Sequence, residues 1–434
     1  MKAKNKLGLV FFPAYDWAIS PTHPEREERL LYTQDQLFEE GIQDIEGIHF
    51  YNPGLAKAKD IERVHFAVPD VETRLTESHL VAVGGAMRAA KAFCEGEVDK
   101  AFALVRPPGH HSQRMTLGAR GFCVVNTEAV MIEKMRSEHG PLKVAIIDTD
   151  AHHGDGTQDV FWNDPDTLVI SFHQDGRTLY PGTGFMDEFG GPGAYGYNIN
   201  VPLPPETGDE GFMHVLDHVV LPILDDFKPD IIINSAGQDN HYTDPLTNMN
   251  LSAQGYAKLN EKLDPDIAVL EGGYSIETAL PYINLGIILA MSGMDYSNVH
   301  EPDFHQTNLK QTADVTKYVE EISSTIYNRW LNREKLKEKK FKDQETVERV
   351  RNVYYDTDGI SDQQVQKFKV CDRCSGLNTI ESDADNGRRV FAVTIPRDAC
   401  WDCIKEGREL FNKKEGNYTN IYLQDNVKDE YYSK

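Results

Sequence analysis

The chain of 434 residues carries 45 Lys plus Arg against 69 Asp plus Glu, a formal charge of −24, with 40% hydrophobic and 26% charged residues. This composition supports packed cores and excludes a disordered chain, and at about 100–200 residues per domain the length admits two or three domains. The acidic excess argues against a surface that tracks nucleic acid or an anionic membrane, and it fits cationic substrates better.

The longest apolar stretches, such as 7–12 and 287–291, are far too short to span a bilayer, and Pro13 and Asp16 interrupt any signal-like segment. A cytoplasmic protein without a membrane partner is expected. Four of the six cysteines fall into two C-x-x-C pairs, while Cys94 and Cys123 stand alone. That spacing points to a metal site in a reducing compartment rather than to a disulfide framework.

In chain order, β-branched runs at 7–12, 101–105, 143–148, 167–172, 230–233 and 266–270 predict strands. Helical patterns separate them; over 79–93, Leu80, Val83, Met87 and Ala90 recur at helical spacing. Strands alternating with helices predict an α/β fold, an open and mostly parallel sheet covered by helices on both faces. Four strands run into polar, glycine-containing loops: RPPGHH at 106–111, DTDAHHGDG at 148–156, SAGQDN at 235–240 and EGGY at 271–274. Ligands of such sheets bind beyond the carboxyl ends of the strands, so these loops are expected to share one cleft.

Past residue 300 the pattern changes. Val315, Val319, Ile322, Ile326 and Trp330 form one apolar helical stripe, followed by a charged stretch over 333–342 that reads as a solvated helix face. The expected organisation is a catalytic domain over 1–300, a helical bridge over 301–364, with helices from about 306 to 352, and a small module over 365–434.

In the cleft loops, Asp150 and His152 lie two apart after a predicted strand and can share one ion, with Asp239 as a third ligand from another strand. Two carboxylates and one imidazole leave a coordination position open, the signature of a catalytic zinc. A lone D-x-H pair has a blander reading as a helix cap or surface hydrogen bond. The tandem His110 and His111 need different partners, and Asp148 and Asp155 are available. A carboxylate on one ring nitrogen fixes the tautomer and raises the basicity of the other, which suits proton transfer from water to a leaving amine.

Together RPPGHH, GFCVVN at 121–126, DTDAHHGDGTQ at 148–158, PGTG at 181–184, SAGQDN followed by DPL at 244–246, and EGGY resemble the zinc-dependent histone deacetylase family, within the arginase–deacetylase fold. The resemblance spans about 8–295, and EGGY and HPE at 23–25 are similar to class II members and their bacterial relatives. It implies zinc ligands at Asp150, His152 and Asp239, a proton-transfer histidine at His111 with His110 as its electrostatic partner, supporting aspartates at Asp148 and Asp155, and a transition-state tyrosine at Tyr274. It places Gly121, Phe122 and Tyr180 along an acyl-lysine tunnel, with Tyr180 standing where Phe is commoner. It also implies a potassium ion held by Asp148, Asp150, His152, Ser171 and Phe172. The family's substrate-gripping aspartate has no clean counterpart near 65–72, where Asp70 and Glu72 are the candidates. Seven residues after Asp239, where polyamine-selective members carry an acid, stands Leu246. Arginases share the fold and a D-x-H motif but need a further carboxylate where this chain has Gly154.

Cys371 and Cys374, then Cys400 and Cys403, form a four-cysteine zinc-ribbon pattern, whose closed thiolate shell predicts a structural zinc. Residues 388–395 read as a strand between the pairs. Arg373, Arg388, Arg389 and Arg397 offer a nucleic-acid or protein surface, while the plainer reading is a metal-stapled module packed on the catalytic domain or on a neighbouring copy in a homo-oligomer. The expected activity is removal of an acyl group from lysine in protein or peptide. The alternatives are a deacetylase for polyamines or other small acylated amines, and a silent acyl-lysine-binding module.

Overall fold

The computed structural model describes residues 1–11, 18, 20, 22–66, 75–302, 304–305 and 309–434; Asp70 and Glu72 lie outside them. The first sheet comprises β1 (Lys2–Phe11), β2 (Glu46–Tyr51), β3 (Lys100–Leu104), β4 (Val144–Asp148), β5 (Thr167–Gln174), β6 (Asn198–Leu203), β7 (Ile231–Ala236) and β8 (Ile267–Leu270). Its order is β2-β1-β3-β8-β7-β4-β5-β6, and every pair is parallel. The six predicted strands are all present. The two unpredicted ones are the edges, where β2 is partly solvated and β6 carries two asparagines and Pro202, so neither shows a β-branched run.

Consecutive β4 residues face opposite layers. Ala145 and Ile147 pack with Phe102, Ile170 and Leu270 in one core, and Val144 and Ile146 with Val10, Ala103 and Val169 in the other. The helix Leu280–Met291 covers the first face through Ile283, Ile287 and Ile288; the helices Glu77–Cys94 and Thr127–His139 cover the second. Burial on both faces explains why these strands read as continuous apolar runs. Loop 112–126 is anchored by Asn126, whose Oδ1 accepts the Ala129 N–H at 2.9 Å and caps the following helix.

Beyond residue 300, the apolar stripe lies on the helix Ala313–Leu331, which buries Val319, Ile322, Ile326 and Trp330, and a second helix, Arg333–Phe341, follows. The expected helical bridge ends there, because β9 (Thr346–Tyr355) and β10 (Ile360–Lys369) already belong to a second sheet. It continues with β11 (Asn378–Ala384), β12 (Arg389–Ile395), β13 (Asn420–Asp425) and β14 (Glu430–Ser433), in the order β14-β13-β12-β11-β10-β9. The charges of β9 conceal its period of two. Arg349 and Arg351 point inward, where Arg351 reaches the buried Asp159 at 2.5 Å and the Arg349 guanidinium stacks over Trp162 at 4.0 Å.

The second sheet shares a core with the first half: Val353, Tyr355, Ile380 and Ala392 pack with Phe66, Met115 and Leu117. Arg397 pairs with Glu133, Arg373 with Asp402, and Arg389 lies 3.4 Å from Asp383, so these arginines face carboxylates of the chain itself. Among the described residues, no helix is long and apolar enough to cross a membrane.

Candidate active site

Adjacent strands β3, β8, β7 and β4 deliver the four motif loops to one end of the sheet. Asp150 and His152 lie past the last residue of β4, so they converge through a bend rather than along extended backbone. The Asp150 Oδ1 accepts the His152 N–H at 2.8 Å, which sets that bend. His152 Nδ1 then lies 3.1 Å from Asp150 Oδ1 and 2.9 Å from Asp239 Oδ2. Each carboxylate spends its other oxygen on a backbone amide, Asp150 on Gly272 at 2.8 Å and Asp239 on Ala151 at 2.7 Å. Ligands about 2.0–2.2 Å from one tetrahedral zinc stand roughly 3–3.5 Å apart. The cluster fits a divalent ion in spacing and in donor chemistry.

The tandem histidines have separate partners. His110 Nδ1–H donates to Asp148 at 3.1 Å and His111 Nδ1–H to Asp155 at 2.8 Å, leaving both Nε2 atoms directed elsewhere. Burial opposes charge at His110, but Asp150 and Asp148 outweigh it and raise its pKa well above the usual imidazole range. Burial and the neighbouring His110 push His111 down to about 3, so it is a neutral base. Burial alone would raise the Asp155 carboxyl; the Arg120 guanidinium, 3.0 Å away, together with His111 holds it well below the usual range.

Gly154 sits against this arrangement, and a Cβ there would lie 2.2 Å from Asp148 Oδ2. The further carboxylate of an arginase-like centre has no room. Asp148 pairs in register with Ser171 on β5, next to Phe172, which brings these expected potassium contacts side by side.

Tyr274 is buried, and burial raises its hydroxyl well above the usual phenol range, so it remains a donor. Its loop is held by Asp244 of the DPL motif and by Arg29, which lies in none of the motifs. Asp244 Oδ2 accepts the Tyr274 N–H at 2.7 Å, and Arg29, buried and paired with Glu25, donates to the Gly273 carbonyl at 2.8 Å and stacks over the Tyr274 ring at 4.9 Å. Arg106 joins the same Glu25 at 2.8 Å, which explains the glutamate of HPE. The role of Arg29 was hidden in the sequence because ERL opens an ordinary amphipathic helix.

A cavity of about 320 Å³ leads to these groups, lined by His110, His111, Gly121, Phe122, His152, Leu179, Tyr180, Leu246, Tyr274 and Asp356. Phe122 meets Tyr274 edge-on at 5.7 Å, and Tyr180 meets His111 edge-on at 5.2 Å. Gly121 turns with φ +50°, and a Cβ would come within 2.4 Å of His111 Cδ2, so only glycine brings Phe122 this close. Leu179 and Asp356 are the two lining residues absent from the expected set. Asp356 belongs to the β9–β10 turn and accepts the Tyr180 hydroxyl at 2.7 Å, the polar contact that a phenylalanine at 180 would lack.

The four cysteines gather where the chain leaves β10 and enters the helix Trp401–Lys413, with Cys400 at its N-cap and Cys403 in its first turn. Cys371 Sγ and Cys400 Sγ are 3.9 Å apart. Thiolates about 2.3 Å from a tetrahedral zinc stand roughly 3.8 Å apart, so the four-sulfur set fits a structural zinc of ribbon type.

Residues 67–287 match the histone deacetylase domain. The chain is 46% identical over 324 residues to a probable deacetylase of Archaeoglobus fulgidus, an alignment covering 68% of this chain and 89% of that protein. It is 34% identical to the histone deacetylase-like amidohydrolase of Pseudomonas aeruginosa, over 54% of this chain and 66% of that one. The crystal structure of the HDA15 HD domain superposes with a TM-score of 0.65 at 28% identity, over 78% of this chain and 99% of that domain. The domain match stops at 287, well before the second sheet begins at Thr346.

Proposed function

This chain belongs to the histone deacetylase family, and from that premise we propose that it is a zinc-dependent amidohydrolase removing acetyl or another acyl group from the side-chain amine of lysine in proteins or peptides. The observation that carries this reading is the convergence, at the base of one cavity, of the Asp150–His152–Asp239 cluster, two carboxylate-held histidines and Tyr274. In the proposed roles, Asp150, His152 and Asp239 hold the ion, which when bound supplies Lewis-acid chemistry.

His111, neutral and oriented by Asp155, takes a proton from the attacking water as its oxygen bonds to the amide carbon. Tyr274 donates a hydrogen bond to the oxyanion that develops on the carbonyl oxygen. The C–N bond then breaks as His111 returns the proton to the leaving amine. His110, charged beside Asp148 and Asp150, adds a fixed positive charge near the developing anion. Phe122 and Tyr180 form the walls past which the acyl-bearing stem enters, and Leu246 packs on it at the mouth. A potassium ion beside Asp148 and Ser171, and cytoplasmic residence, belong to the same proposal.

A second reading, deacetylation of polyamines or other small acylated amines, is favoured by one observation, the Asp356 carboxylate in the cavity. Turnover of acetyl-lysine peptides and of acetylspermidine by the zinc-loaded chain separates the two. A higher kcat/KM for the peptides is expected; a higher value for acetylspermidine makes the second reading the correct one. No turnover on any acylated amine would leave the silent acyl-lysine-binding module.

A further inference from the structure

The turn between β9 and β10, DTDG at 356–359, is fastened to the loop that carries Gly121 and Phe122. The Tyr355 hydroxyl donates to the Met115 carbonyl at 2.8 Å, Asp358 accepts the Ala119 N–H at 2.7 Å, and Arg120 Nη1 donates to the Tyr354 carbonyl at 2.7 Å. Between these anchors Asp356 faces the cavity, its carboxylate accepting the Tyr180 hydroxyl at 2.7 Å, the Gly121 N–H at 3.1 Å and the Thr357 hydroxyl at 3.3 Å.

All three donors are neutral and orient the carboxylate, while the nearby Arg120 guanidinium attracts it electrostatically. Arg120 is committed to Asp155 and the Tyr354 carbonyl. An ionised carboxylate offers about four lone-pair sites, which leaves capacity toward the cavity. Among the described residues, Asp356 is the one carboxylate lining this cavity, and the length of the Tyr180 ring separates it from His111. Leu179, Leu246 and Phe122 give the same cavity apolar lining.

We propose that Asp356 is a specificity-determining residue, supplied by the second sheet, that pairs with a protonated nitrogen of the substrate lying beyond the acylated one. The inference rests on the amidohydrolase reading above and deepens it by naming the substrate class, an acylated amine with a second positive charge. Two sources share that chemistry: a lysine or arginine flanking acyl-lysine in a peptide, and the distal amine of a polyamine. The fold thereby gives the second sheet a place in the reaction, because the turn carrying Asp356 is held only if β9 and β10 are in register.

The test uses the full zinc-loaded chain and two matched pairs. N-acetylputrescine is compared with neutral N-acetylpentylamine, and an acetyl-lysine peptide flanked by arginine with the same peptide flanked by alanine. For a partly exposed charge pair, the cationic member of at least one pair should be preferred about fivefold to tenfold, mainly in KM, and less so at high salt. Asp356→Asn should abolish that preference while Asp358→Asn, which alters the anchor and not the cavity, retains it. Which pair shows the preference identifies the source. Equal treatment of both pairs by the unmodified chain, or a preference that survives Asp356→Asn, overturns the proposal. Calorimetric binding of the same four compounds is measured alongside. An Asp356-dependent binding difference without any turnover would sustain the role of Asp356 and overturn the hydrolase reading instead.

Discussion

Asp150, His152 and Asp239 project from the ends of a buried parallel sheet toward a cavity, whereas Cys371, Cys374, Cys400 and Cys403 close upon one another at the margin of a mixed sheet. Two oxygens and one nitrogen leave coordination room; four sulfurs leave none. The first set is held by three backbone amides from the loops after β4 and β8, with Asp239 itself carried on the loop after β7, so its geometry depends on three strands of the first sheet. The second joins one strand end to one helix start. β10 has ten residues at about 3.3 Å each, so the cysteines sit roughly 30 Å from the turn that carries Asp356. A staple at that distance acts on the cavity only through the sheet it secures. On the proposed reading, one cluster serves the chemistry and the other holds the sheet that frames it.

The sharpest way to break this contrast is to empty one cluster at a time. Asp239→Ala should remove the cavity metal, abolish activity and leave the four-cysteine ion in place, lowering metal content from about two per chain to one. Cys403→Ser should release the other ion and loosen the second sheet, visible as a new low-temperature transition in calorimetry. Two ions still bound after Asp239→Ala would reassign the ligands.

A smaller loss is expected where the metal stays but a donor goes. The Tyr274 hydroxyl is directed at the transition state on the proposed mechanism, and losing one such donor costs about 10²–10³ in rate. Tyr274→Phe should therefore lower kcat by that factor with KM nearly unchanged. Near-normal turnover would place the oxyanion donor elsewhere.

How much of this was legible differs between the two sheets for a physical reason. The six inner strands announced themselves because burial on both faces demands unbroken apolar runs, and the ligand loops because Asp, His and Gly have no packing reason to crowd strand ends. Edge β2 lacks that pressure, and β6, though buried, gives two positions to asparagines that hydrogen-bond Gln158 and one to Pro202. In β9, charged side chains turned inward onto Asp159 disguised the start of a strand as the end of the expected helical bridge. Asp356 could not be found at all, since DTDG reads as an ordinary turn and only tertiary packing brings it to Tyr180. Arg29 was hidden similarly, as a charge on a helical pattern, whereas Glu25 stood in the HPE motif without showing that it would join Arg29 and Arg106.

The loop under the cavity wall offers a pH test of the first sheet's half. His65 is buried; its Nδ1–H donates to the Gln113 carbonyl at 2.7 Å and its Nε2 accepts the Asn126 N–H at 2.9 Å, so only the neutral ring fits. Burial pushes its pKa down to about 4. The unfolded chain binds this proton near pH 6.5, so between pH 6.5 and 4 the unfolded state carries more protons and stability falls as pH falls. The shift corresponds to roughly 3 kcal/mol across that window. His65→Gln should start less stable at pH 7 and lose less on acidification, read from denaturant midpoints at pH 7 and 4.5. An unchanged slope would mean that the ring is not held neutral.

The finest effect concerns the cavity mouth, where the two halves meet. Leu246 borders the cavity from the first sheet's side and Asp356 from the second's. Leucine gives an entering chain apolar contact but no charge, while the overall charge of −24 acts only over a screening length of about 8 Å at physiological salt. Leu246→Glu would add a second carboxylate to the lining of the same cavity. A solvent-accessible pair contributes about 1 kcal/mol or less, so the kcat/KM ratio of acetylspermidine to acetyl-lysine peptide should rise by about fivefold, not by orders of magnitude. Because Asp356 already supplies one negative site, the gain should be larger in the Asp356→Asn background if the two acids serve the same nitrogen, and the same if they serve different ones. A ratio that does not move in either background would mean that the distal amine never passes Leu246, and that selection at the mouth belongs to Asp356 alone.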